Sequence, residues 1–288
     1  TAIPAAIGNS ATQINVFISG NLASFVDGGR TWLATADRLY QLPLGLIGVA
    51  IGIALLPKLS SAIASEDRAQ EQASMDEALV LSMALTLPAA AAIMAMPLFL
   101  IDGLFTRGEF LAFDAQNTAA ALLQFGWGVP AFVLIRVLAP GFFARQDTKT
   151  PMIFALISVA VNAALAIVLF NIGWGVSGIA AATSAAAWTN AGLLAFFLFR
   201  RDHYRPGGSA VSRLIRILIA SAALGAILVF AQIYRPMIEA PIAALTEHGA
   251  KEIALVLTTG VGGLVYLALL FATRAVTIGE IKGILRRE

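Results

Sequence analysis

The sequence predicts an all-α polytopic membrane protein of about eight transmembrane helices. Three observations carry that prediction. Of 288 residues, 59% are hydrophobic and only 12% charged, with a mean hydropathy of +0.83. Soluble domains carry roughly 25% charged residues, and half that fraction leaves too little polar surface for a water-soluble globule of this size. The apolar residues fall in blocks of roughly 20, which at about 1.5 Å per residue cross a hydrocarbon core of roughly 30 Å. The lysines and arginines sit between the blocks, and mostly in every second gap.

The blocks place spans at 3–25, 31–57, 77–101, 118–143, 151–171, 177–199, 212–234 and 252–273. The first is the least apolar: Asn9, Ser10, Thr12, Gln13 and Asn15 cluster in its first half, as expected of a helix facing a wet cavity rather than lipid. Asp27-Gly28-Gly29 turns the chain into span two, and Pro57 with the polar stretch Ser65 to Asp76 is expected to end it. Asp147 to Pro151 separates spans four and five, Asn171 to Gly175 makes a tight turn before span six, and Pro206-Gly207-Gly208 precedes span seven. Small residues, including Gly48-x-x-x-Gly52, allow close helix approach. Pro43, Pro88 and Pro130 each remove a backbone hydrogen bond inside a span and predict kinks.

The gaps after spans two, four and six, the first turns of span seven and the C-terminal tail hold thirteen lysines and arginines; the opposite gaps hold four. By the positive-inside rule the richer side is cytoplasmic, so span one runs outward and the C-terminus ends inside. A net charge of +2 and a pI near 9.1 reflect these flanking clusters. No basic stripe interleaved with aromatics points to nucleic acid. Without cysteine there is no thiolate chemistry and no disulfide. No basic segment followed by a cleavage site opens the chain, so no signal peptide is expected, and a start at Thr1 is expected of a piece of something longer.

Asp37 and Arg38 are the informative charges. They lie seven or eight positions into span two, where each costs about 2.5–3.5 kcal/mol on the insertion scale. The run from Leu42 to Leu56 outweighs that cost, so the helix inserts, but the charges need a cavity or a partner. Asp37 either lines a cavity or pairs with Arg136 of span four. Arg38 is expected to line a cavity and bind an anion, since a guanidinium stays charged and holds phosphate oxygens in a two-pronged bond. Arg136 either snorkels toward the interface or joins that cavity.

Two enzymatic motifs fail. Gly175-Val176-Ser177-Gly178 has the shape of an intramembrane serine protease motif, but His203 and His248 fall in loops on opposite sides of the membrane, out of reach as a base. Ser177 is expected to be a helix N-cap. The acidic pairs Glu66-Asp67 and Asp76-Glu77 are expected to be a solvated loop and helix start rather than a metal-pyrophosphate site. No metal-ligand constellation, catalytic group or phosphate-binding glycine loop is expected, so the chain is not read as an enzyme.

The segment Ala36-Asp37-Arg38-Leu39-Tyr40-Gln41-Leu42-Pro43-Leu44-Gly45, continuing to Leu55-Leu56-Pro57-Lys58-Leu59-Ser60, resembles the MurJ (MviN) lipid II flippases of the MOP exporter superfamily. So do Leu104 to Phe110, Phe142 to Pro151, and Gly8-Asn9 with Gln13-Ile14-Asn15. The resemblance implies helices seven to fourteen of a fourteen-helix fold. Residues 1–200 are then the six-helix C-lobe of a MATE/MOP-like fold and residues 201–288 two additional helices with a cytoplasmic tail, the N-lobe being absent from this chain. It implies a flippase in the bacterial inner membrane. That protein moves undecaprenyl-pyrophosphate-linked lipid II for peptidoglycan biosynthesis by alternating access, with membrane lipids and the N-lobe as its partners.

Substrate-binding residues on this reading are Arg38, Asp37, Arg136, Gln13 and Asn15, with Arg38 on the pyrophosphate. Spans seven and eight border a groove for the polyprenyl tail. No cofactor is expected. Some relatives couple transport to sodium through carboxylates; with no acidic residue before Asp27 and only Asn162 in span five, a weak or absent sodium site is expected. Coupling to the membrane potential or another monovalent ion stays open. A related lipid-linked oligosaccharide or drug exporter of the same superfamily is the alternative function, and a non-transporting scaffold is disfavoured by the cost of burying Asp37 and Arg38.

Overall fold

The computed structural model describes residues 16–244 and 249–275, with backbone alone for residues 46–54. Helix α1 covers 16–23, so Gln13 and Asn15 lie outside the described residues. Ten further helices and a short one of a single turn follow: α2 (Gly29–Ala64), α3 (Arg68–Ala95), α4 (Pro97–Phe105), α5 (Ala112–Gly126), α6 (Val129–Leu138), α7 (Pro140–Phe143), α8 (Lys149–Leu169), α9 (Gly175–Arg200), α10 (Gly208–Ile233), α11 (Arg235–Ala243) and α12 (Ala250–Ala272). Five helical segments among the described residues are long and apolar enough to cross a membrane. One of them, Lys149–Arg200, holds two spans: α8 passes through a π-helical turn at Phe170–Trp174 into α9, which packs back along it. Gly173, at φ 93°, makes that reversal, since a side chain there would strain the left-handed backbone.

The turn at Gly28 holds: its φ is 78°. Three boundaries differ from the sequence expectation. Helix α2 runs straight past Pro57 to Ala64; the proline removes one internal bond, but packing of Leu55, Leu59 and Ala62 in the core carries the helix on. The polar stretch Ser65 to Asp76 is mostly the first turns of α3, which Asp67 caps by accepting from the Gln70 backbone N–H at 2.9 Å. Span four is interrupted at Trp127-Gly128 and again at Ala139, each time with proline in the first turn of the next helix. Ser177 is no N-cap. Because the π turn delivers the chain into helical geometry early, α9 starts at Gly175, and the Ser177 hydroxyl donates to the Trp174 carbonyl at 2.7 Å.

Two apolar cores share α3. One joins α2, α3, α5, α6 and α9 around Phe142, Leu122, Leu194 and Leu198. The other seats α10 and α12 on α3 and α4 around Phe99, Ile217, Leu224 and Tyr266. In that second seam the Tyr266 hydroxyl donates to the Ala84 carbonyl at 2.6 Å. At the same seam's end, Arg235 pairs with Asp102 and Glu239 and lies 4.6 Å from the Phe99 ring centre.

The arginine-rich end is cross-tied. Arg145 pairs with Glu71, both largely covered, and donates to the Gly141 carbonyl at 2.6 Å. Arg201 bonds Asp147 at 2.7 Å. Asp76 is half-buried and accepts from the Tyr204 hydroxyl at 2.7 Å and the Gly207 N–H at 3.1 Å. Glu66, Asp67 and Glu77 are exposed as expected; Asp76 alone departs, tying α3 to the α9–α10 loop, because Tyr204 is drawn into the core beside it. Burial opposes ionisation of Asp147, but hydrogen bonds from Thr150 and Arg201 outweigh it and hold its carboxyl below the usual range. Burial, with the Arg145 and Arg201 charges, holds His203 below the usual histidine value.

Candidate substrate-facing site on the second span

Helix α2 presents Asp37, Tyr40, Gln41 and the Leu44 carbonyl at helical spacing i, i+3, i+4 and i+7, which places them along one face. Asp37 lies roughly 12 Å in from the start of α2 at 1.5 Å per residue. It is half-buried and accepts a 2.5 Å hydrogen bond from the Gln41 amide. Arg38 is not covered by the rest of the chain and makes no hydrogen bond or ion pair among the described residues. Its guanidinium thus stands two turns inside a span without a partner among the described residues.

Arg136 enters from α6. Its Nη1 donates to the Leu44 carbonyl at 2.8 Å while the residue stays exposed. The alternative left open by the sequence, an ion pair between Asp37 and Arg136, does not form: Gln41 takes the carboxylate and a backbone carbonyl takes the guanidinium. Arg136 thus reaches α2 about two turns beyond Asp37, at Leu44, whereas Arg38 points about 100° around the helix from Asp37. Gly48 and Gly52 lie where only the backbone is described.

Sequence reasoning missed Tyr40 and Gln41. Tyr40 is 7% exposed, and its ring stacks on Phe125 at 4.5 Å and Phe132 at 5.4 Å between centroids. Those two rings belong to α5 and α6, on either side of the break in span four. The break itself is satisfied from α9: Ser184 donates to the Gln124 carbonyl at 2.7 Å and the Trp188 indole to the Trp127 carbonyl at 2.9 Å. Gly128 is required there, because a Cβ would overlap Ser184.

Beside the break an apolar cavity of about 470 Å³ opens between α3, α6 and α10, lined by Leu87, Met94, Trp127, Pro130, Leu218 and Val229 among others. Asn162 lies between α8 and α9, fully buried, with its amide donating to the Thr183 hydroxyl at 3.1 Å and its carbonyl oxygen unpartnered. Ala166 lies one turn on, and α8 holds no acidic residue.

The sequence profile described as lipid II flippase MurJ matches residues 1–245. A probable lipid II flippase MurJ of Rhizobium tropici is 38% identical over 288 residues, covering 100% of this chain and 53% of the relative. The corresponding protein of Rhizobium meliloti is 44% identical over 79% of this chain and 42% of its own length. The chain thus spans about half the length of the curated relatives it matches. Among solved structures, a lipid II flippase MurJ in an inward closed conformation superposes with TM-score 0.72 at 25% identity, over 94% of this chain and 53% of that one. An outward-facing multidrug resistance MATE transporter of the MOP superfamily shares the fold at TM-score 0.53 and 18% identity, over 98% of this chain and 65% of that one. This multi-pass helical membrane chain belongs to the MurJ lipid II flippase family.

Proposed function

We propose that this chain is the C-terminal portion of a transporter that moves lipid II from the cytoplasmic to the periplasmic leaflet of a bacterial inner membrane. Residues 1–200 form its C-lobe, residues 201–288 add two helices, and an N-lobe completes the cavity. The observation that carries the reading is Arg38, set deep in a span yet unpaired among the described residues. Its planar fork binds pyrophosphate oxygens through two parallel hydrogen bonds. Asp37, tethered by Gln41, lowers the local positive potential so that the anion is released again. Arg136, Gln13 and Asn15 add polar contacts to the sugar-phosphate head. The apolar cavity beside α10 takes the polyprenyl tail, whose burial there needs no polar partner.

Alternating access follows from rocking of this lobe against the other about that central site. The thirteen-to-four distribution of cations supports a cytoplasmic C-terminus. No cofactor takes part, and the neutral surroundings of Asn162 favour coupling through the membrane potential over a bound sodium ion. The test uses the full-length parent in cells depleted of their own flippase, with Arg38, Arg38→Ala or Arg38→Lys, and periplasmic lipid II as the readout. Loss in both variants at normal membrane levels is expected. Normal periplasmic lipid II in both rejects the reading.

A further inference from the structure

We propose that Tyr266 of α12 and Gln232 of α10 are positioning residues that hold the groove-facing wall of span three and so set the groove's width for a long apolar chain. The inference rests on the proposed reading of that groove as the seat of the polyprenyl tail. The wall is a short piece of α3: Leu87, Ala90, Ala91, Met94 and Ala95 line the cavity from that helix. It runs from Pro88 to the break before α4, with an irregularity at each end. At the first, Pro88 has no N–H and leaves the Ala84 carbonyl, four residues back, without its helical partner. Just before it the Ser82 and Thr86 hydroxyls donate to the Ala78 and Ser82 carbonyls, an arrangement that bends helices. At the second, α4 starts afresh at Pro97, so its first backbone N–H groups have no partner within the helix.

The two added helices answer both ends. The buried Tyr266 hydroxyl donates to the Ala84 carbonyl at 2.6 Å. That carbonyl is the one Pro88 frees, so the bond replaces the missing helical one rather than adding to a complete ladder. The Gln232 side-chain carbonyl accepts from the Phe99 N–H, in the first turn of α4, at 3.1 Å. Gln232 follows Gly225 and Val229 at helical spacing, on the face of α10 that lines the groove, and closes the groove against α4. Helix α12 lines none of the groove; it acts on the wall through the backbone of α3. Inside a membrane no water replaces a lost backbone partner, so without either bond the wall is free to tilt about Pro88. The gap that such a tilt changes is narrow: a Cβ at Gly225 would stand 3.6 Å from that of Ala91.

The test reads this gap by oxidative cross-linking of Ala91→Cys with Gly225→Cys in the full-length parent in nanodiscs, any other cysteine being replaced by serine. The 3.6 Å separation lies within the roughly 3.5–4.5 Å between Cβ atoms that a disulfide takes. With copper phenanthroline the pair is expected to cross-link readily. Tyr266→Phe and Gln232→Leu are each expected to slow it about 3- to 10-fold, the population shift for one lost interhelical bond. Pro88→Ala restores the N–H that Ala84 lacks, so in that background Tyr266→Phe is expected to alter the rate by less than about 2-fold. Without the cysteine pair, binding of undecaprenyl phosphate is expected to weaken about 3- to 10-fold in Tyr266→Phe and in Gln232→Leu. Ala222→Trp, which fills the groove, is expected to abolish that binding and checks the tail reading by itself.

Unchanged cross-linking in both Tyr266→Phe and Gln232→Leu overturns the positioning role. A full effect of Tyr266→Phe in the Pro88→Ala background overturns its action through the freed carbonyl. Slowed cross-linking beside wild-type binding, with binding lost in Ala222→Trp, overturns the link to the apolar chain. Wild-type binding by Ala222→Trp overturns the tail reading instead, and the cross-linking rates still decide whether the wall is held. Gln232→Leu acts from the opposite end of the wall and keeps the idea testable if Tyr266→Phe fails to fold; an unchanged rate there also overturns it.

Discussion

Replacing Arg145 by alanine tests whether the ties at the arginine-rich end hold the lobe together. Arg145 pairs with Glu71, the two side chains 19% and 9% exposed, and also donates to the Gly141 and His203 carbonyls. At an effective dielectric near 20, opposite charges about 4 Å apart attract by about 4 kcal/mol, against which stands the desolvation of both groups. Removing one partner of such a pair costs roughly 3–5 kcal/mol, since the other charge stays buried and unpaired. Allowing for the residual exposure of Arg145, about 2–4 kcal/mol is expected for Arg145→Ala, and a similar loss for Glu71→Ala. Removing both leaves no orphan charge, so the double variant is expected to lose about as much as either single one, or less. Reversible unfolding of the full-length parent, followed by circular dichroism across a denaturing-detergent titration, gives the four free energies of the cycle. Single losses under about 0.5 kcal/mol, or losses that simply add, refute the claim that this pair is a coupled structural tie.

Three further outcomes follow from the same structure. Asp147 and His203 both have lowered values in the fold, so the unfolded chain binds more protons in acid. Their stabilisation is complete above the unfolded values, near 6.5 for histidine and 3.9 for aspartate, and is lost as pH falls below each. Melting scans should show stability dropping first below about pH 6.5 and again below about pH 4, the second drop shrinking in Arg201→Gln. Gly128→Val should destabilise by about 1–3 kcal/mol through overlap with Ser184, with Ser184→Gly recovering part of the lost melting temperature. Tyr266→Phe removes a buried hydrogen bond from α12 to the Ala84 carbonyl and should cost about 0.6–1.7 kcal/mol, as interhelical bonds in membranes do; proteolysis rates in the α12 region report whether α12 loosens.

The fold was legible in the sequence because membrane burial leaves a coarse signal. Blocks of apolar residues with segregated cations give span positions and alternation, and Gly28, Gly173 and Pro206 marked true turns. Boundaries that depend on tertiary contacts were not legible. Pro57 reads as a stop in isolation, yet core packing of Leu55 and Leu59 carries α2 through it. Asp76 reads as solvated until Tyr204, 128 positions away, is seen against it. Asp37 and Arg38 stood out from the sequence because charge in a span is expensive, whereas Tyr40 did not, because an aromatic residue in a span is ordinary. Its spacing from Asp37 at i+3 was the available signal. The preference of Arg136 for the Leu44 carbonyl over Asp37 depends on helix placement that no local pattern encodes.

The most direct measurement reconstitutes the full-length parent in liposomes with lipid II in one leaflet and follows its appearance in the other, for wild type and Arg38→Ala at matched incorporation. Translocation by the wild type is expected, falling to the protein-free rate in Arg38→Ala. Equal translocation by both, or none by a wild type that instead moves an organic cation, contradicts it.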